Sequence, residues 1–113
     1  MEANESEVLQ GTRLTAIVFV MDYLQIQFDA GVATFLQFPD VTVREKTHVY
    51  GDPDYRNVLC EFISAVVSSV NYEQDISFCL NFEKGNIQIS LAPERYTTPE
   101  MVVIDIAGKS IVF

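Results

Sequence analysis

The stretch Asp52-Pro53-Asp54-Tyr55-Arg56-Asn57-Val58-Leu59-Cys60-Glu61-Phe62-Ile63-Ser64-Ala65-Val66-Val67-Ser68-Ser69-Val70 decides how the chain reads. Asp52 offers the carboxylate of an N-cap, Pro53 suits the first helical position, and Asp54 faces the positive end of a helix dipole. Behind them Tyr55, Val58, Leu59, Phe62, Ile63, Val66, Val67 and Val70 recur at helical spacing and build an apolar stripe of about four turns. Arg56, Asn57, Glu61, Ser64 and Ser68 fall on the other side. The spacing predicts one amphipathic helix whose stripe lies against a sheet.

Strands are expected on both sides of it. Leu14 to Val20 reads LTAIVFV, apolar on both alternating faces and rich in β-branched residues, as in a strand covered on two sides or placed at a subunit contact. Tyr23 to Phe28 alternates cleanly, Asp29-Ala30-Gly31 turns the chain, and Val32 to Phe38 returns. Pro39-Asp40 stops that strand, and Val41 to Val43 makes another short one. After the helix, Ile76, Phe78, Leu80 and Phe82 point one way and Ser77, Cys79 and Asn81 the other. Glu83 to Asn86 turns, Ile87 to Leu91 returns, and a loop from Ala92 to Pro99 leads to a final hairpin, Met101–Ile106 and Ser110–Phe113. The fold class expected is α+β: an antiparallel sheet of about six to eight strands, in two hairpin halves, packed on one central helix. Residues 1–11 are expected to form a flexible acidic lead-in and 12–113 a single domain.

Superposing Phe28-Asp29-Ala30-Gly31 on Phe82-Glu83-Lys84-Gly85 aligns Leu24 with Phe78, Ile26 with Leu80 and Phe35 with Ile89, so each half holds a strand, an F-[D/E]-x-G turn and a strand. With the later Pro99-Glu100 and a closing strand, this pattern from Leu14 to Phe113 resembles a broad group of small bacterial proteins, some of them similar to immunity proteins of toxin systems. In those relatives an aromatic often follows the acidic residue, where this chain has Met101. The resemblance carries over no functional residue.

Charge excludes some partners. The chain has 16 acidic against 7 basic residues, a formal net charge of -9, and the basic side chains are scattered, which argues against nucleic acid and anionic membrane. Its plain consequence is solubility, and the same field would steer a basic protein partner toward the chain. The acidic start MEANESEVLQ lacks the basic, apolar pattern of a signal peptide, and Cys60 and Cys79 show no CxxC spacing, so a cytoplasmic location is expected. The neutral polar positions Gln25, Gln27, Thr34, Gln37, Ser77, Asn81, Gln88 and Ser90 suggest a contact face and a homodimer.

No nucleophile elbow, phosphate loop or metal-binding histidine pair occurs, so no cofactor is expected and the chain reads as a non-enzyme. The candidates for a ligand or interaction site are His48, Asp52 and Asp54. A lone histidine beside two carboxylates can exchange protons or hold a polar ligand, although helix capping explains both acids and His48 reads as a loop residue. Two functions follow: a protein-interaction domain of the immunity or antitoxin kind with an acidic surface, or a small-ligand-binding or minor enzymatic domain with a pocket near His48.

Overall fold

Alternating side chains, rather than a helical stripe, organise the chain. The computed structural model describes residues 8–74, 76–91, 102–106 and 108–112, and among them ten strands form two antiparallel sheets of five strands each. The first sheet runs β1 (Leu14–Val20), β2 (Tyr23–Phe28), β3 (Gly31–Phe35), β9 (Val102–Ile106) and β10 (Lys109–Val112). The second runs β5 (Lys46–His48), β4 (Asp40–Val43), β8 (Gly85–Ser90), β7 (Ser77–Phe82) and β6 (Val67–Glu73). Every second residue of these strands turns inward, and Leu24, Ile26 and Ile104 from one sheet share a single core with Phe78, Leu80 and Ile87 from the other. Phe35 and Phe78 meet edge to face with ring centroids 6.1 Å apart.

The α+β expectation, a sheet on a central helix, is therefore corrected: the chain is mostly β, and its helix α1 is only Tyr55–Cys60. Tyr55, Val58 and Leu59 on α1 and Phe62 just beyond it are buried, but Ile63 and Val66 are exposed, and Val67 and Val70 belong to β6. A bulge explains why they mimicked a helix. The register of β6 on β7 shifts between Val67 and Ser69, so Val67 and Val70, three residues apart, both face the core. Ser64 at φ 80 turns the chain out of the helix, and the β-branched, serine-rich residues after it suit a strand. Asp52 is not the N-cap. Asp54 takes that place without a side-chain bond, while the Asp52 carboxylate accepts from the Val49 N–H at 2.9 Å.

Smaller corrections follow the same geometry. Ile76, expected to face inward, precedes β7 and is exposed. Leu9, within the expected lead-in, is fully buried. Glu2, Glu5 and Glu7, Asp75, the loop 92–99, Glu100, Met101 and Phe113 lie outside the described residues.

The duplication extends well beyond its two turns. β1-β2-β3 and β6-β7-β8 are matching three-stranded meanders, and each first strand carries a bulge at the same place, between Leu14 and Ala16 and between Val67 and Ser69. The meanders meet at an antiparallel bridge between Arg13 and Val66. Around that bridge the bonds come in pairs: Leu14 N–H donates to Ala65 at 2.8 Å and Val67 N–H to Thr12 at 2.9 Å; Ser64 N–H donates to Leu14 at 2.7 Å and Gly11 N–H to Val67 at 2.8 Å. Gly11 and Ser64 share a positive φ, 84 and 80, and the Leu9 and Phe62 carbonyls accept from Thr12 and Ala65. An approximate two-fold axis thus passes through the Arg13–Val66 bridge.

The closing hairpins are exchanged across that axis. β4-β5 follows the first meander but pairs with β8 of the second, whereas β9-β10 follows the second and pairs with β3 of the first. Gly31 faces Ile106 and Gly85 faces Val43 at these crossings. A Cβ on Gly31 would strike the Asp105 carbonyl oxygen, and one on Gly85 that of Thr42. Gly31→Ala and Gly85→Ala are each expected to lower stability by about 1–3 kcal/mol, as overpacking does, in urea denaturation. Equal, negligible shifts in both would contradict the close approach.

Candidate functional site

The hairpin β4-β5 carries half of the polar groups that gather in one place. Its two-residue turn needs left-handed backbone, and Arg44 and Glu45 adopt it at φ 53 and φ 65, in a conformation that glycine or asparagine takes more readily. The turn aims the Arg44 guanidinium at the end of α1, where it forks onto the Glu61 carboxylate at 3.0 and 3.3 Å. The hydrogen bond from Arg44 holds the Glu61 carboxyl below its ordinary range, and Glu61 in turn raises Arg44. The pair is exposed, so it orders the turn more than it stabilises the fold. Lys84 donates to the Glu61 carbonyl from the other side.

His48 lies on a strand, not in a loop. It pairs with Val41 and is 6% exposed, buried beside a core that is otherwise apolar. A concavity of about 490 Å³ opens next to it, walled by Arg44, Lys46, His48, Asp54, Asn57 and Glu61. Of the three residues singled out from the sequence, the structure brings His48 and Asp54 to this concavity. Asp52 lines a separate one of about 300 Å³ with Tyr50, Tyr55 and Arg56. Arg44, Lys46, Asn57 and Glu61 were not singled out. The spacing of Lys46 and His48, two residues apart, was the available signal for Lys46, since it places side chains on one side of a strand.

With Arg44 engaged by Glu61, the concavity offers a balanced set of charges and an amide, which suits hydrogen bonding to a small polar molecule. It does not suit a metal: among the described residues no three His, Cys, Asp or Glu side chains gather as ligands. Cys60 is exposed, whereas Cys79 is half-buried, bonds toward Asn81 at 3.4 Å and has its thiol pushed up by burial, away from thiolate chemistry.

An aromatic cluster fixes the segment between His48 and α1. Tyr50 stacks on Phe38 with centroids 4.0 Å apart and meets Tyr55 edge-on at 5.8 Å. The Tyr55 hydroxyl, fully buried, donates to the Pro39 carbonyl at 2.6 Å. No family model, curated protein or solved structure shows significant similarity to the chain.

Burial, reinforced by the Asp40 charge, pushes the Tyr55 phenol above its ordinary value. Its folded-state contribution is therefore complete below about pH 10, where an unfolded tyrosine titrates, and is lost as pH rises beyond it. Tyr55→Phe is expected to cost about 1 kcal/mol at pH 8 and to flatten the loss of stability between pH 9 and 11. Urea midpoints across that range read both effects, and parallel curves for the two proteins would contradict the assignment.

Proposed function

We propose that the chain is a non-catalytic protein-interaction domain, of the immunity or antitoxin kind, whose acidic surface meets a basic partner. One observation carries the reading: charge is segregated. Asp22, Asp29, Glu45 and Glu83 are exposed at turns, Glu73 at the end of β6, and Arg13, Arg44, Lys46, Lys84 and Lys109 at the same strand ends, so charge of both signs gathers at the ends of the two sheets while the whole chain keeps an acidic excess. The sheets' broad outer faces hold Gln, Asn, Ser, Thr and Val, with Asp105 inside β9 and Asp40 at the start of β4 as carboxylates on them among the described residues. A face kept merely soluble would carry more charge. The net charge of -9 steers a basic protein into encounter, and neutral faces can be buried against a partner without stripping water from ions.

The His48 concavity favours a second reading, a small-ligand-binding domain, through the joint placement of His48 and Asp54. A single preparation separates the two. The purified chain, used as bait in lysate of its source organism and weighed by native mass spectrometry, is expected to retain a basic protein that is released as salt rises from about 0.05 to 0.5 M. A retained small molecule that is lost from His48→Ala, with no protein captured at low salt, would overturn the interaction reading.

A further inference from the structure

We propose that the outer face of the sheet containing β1 binds the same face of a second copy, giving a two-fold dimer; this rests on the interaction reading and assigns one of its faces. The internal repeat supplies the comparison. On this face Val18, Gln25, Thr34, Val103 and Val112 form one cross-strand row, and Ala16, Gln27, Val32, Asp105 and Ser110 form the next. The two-fold axis carries this face onto the outside of the other sheet, where the rows read Asn71, Cys79, Gln88, Asp40 and Ser69, Asn81, Asn86, Thr42, Thr47.

Equivalent positions thus differ in kind. Val18 corresponds to Asn71, Ala16 to Ser69, Val32 to Asn86 and Val103 to Asp40. Strand propensity is common to both faces, so it does not account for Val18, Val32 and Val103 where the other sheet has Asn71, Asn86 and Asp40. Nor does the core claim these valines. Ile17 and Phe19 of β1 pack against it, whereas Val18 and Val20 point the other way and Val112 stands 50% exposed. Both faces are short of charge, and the one that adds valines to its neutral polar groups has the composition of a surface that is covered.

Charge selects the occupant. A basic partner is drawn to carboxylates, and this face offers it a single one, Asp105, which already accepts from the Ser110 hydroxyl. Two copies that each carry -9 repel one another least through a surface almost free of charge, as this face is, and a two-fold axis sets the same patch of each copy against the other. Five strands spaced about 4.8 Å apart and roughly 20 Å long give a footprint of about 500 Å² per copy. Stable interfaces begin at about 600 Å² per partner, so the dimer is a modest one that dissociates on dilution.

Sedimentation equilibrium of the full chain between about 5 and 500 µM tests this. The expected result is a monomer–dimer equilibrium that salt tightens, because screening removes repulsion between like charges; capture of a basic protein shifts the opposite way. Val18→Lys is expected to weaken the dimer at least tenfold, and Asn71→Lys, at the equivalent position on the other sheet, to leave it unchanged. Melting curves show whether each variant folds, and Val112→Lys, at an exposed edge, serves if Val18→Lys does not. A monomer at every concentration and salt, or a dimer abolished by Asn71→Lys and spared by the valine variants, would overturn the proposal. A basic partner captured by a chain that stays monomeric sinks this inference alone, whereas a dimer that captures nothing sinks the basic-partner reading alone.

Discussion

Exchange of the closing hairpins is the constraint on which the rest of the structure depends. A three-stranded meander has one apolar face and cannot bury it alone. Here each meander is completed at its far edge by a hairpin that belongs to the other half, through the β3–β9 and β4–β8 pairings. The two halves are thereby bound by main-chain hydrogen bonds as well as by the shared core, and the short connection from Phe35 to Asp40 has to cross between sheets. Gly31 and Gly85 mark the crossings because only a residue without Cβ lets the exchanged backbones come so close.

The strands were legible because alternation reports burial directly. Leu14–Val20, Tyr23–Phe28 and the turn at Asp29 stand where their patterns place them, and so does the correspondence of Leu24 with Phe78 and Phe35 with Ile89. The helix was overread for a definite physical reason. A bulge adds one residue to a strand and converts a spacing of two into a spacing of three, so Val67 and Val70 imitate a helical stripe. Leu14 and Ile17 sit at the matching bulge of β1. Had the two first strands been aligned as well as the two turns, the repeat itself would have placed Val67–Glu73 in a strand.

The candidate site was legible in part. Asp54 and His48 were singled out by residue type and do share a concavity, but Asp52 closes its own turn on Val49. Glu61 lines the site with Asp54 and Asn57 of its own segment, but its ion pair with Arg44 joins that segment to a hairpin turn 17 residues earlier, and local patterns do not report such a meeting. Charge segregation was visible as a set of neutral polar positions. The asymmetry between the two faces was not, since it needs the cross-strand registers to show that valine and asparagine occupy equivalent places.

The hairpin exchange is tested most directly by long-range nuclear Overhauser contacts between backbone protons of the isotopically labelled protein. Contacts joining Thr34 to Val103 and Thr42 to Asn86 are expected, because those residues pair across the exchanged strands. Contacts that instead join β4 to β3, or β9 to β8, would return each hairpin to its own half and contradict the account.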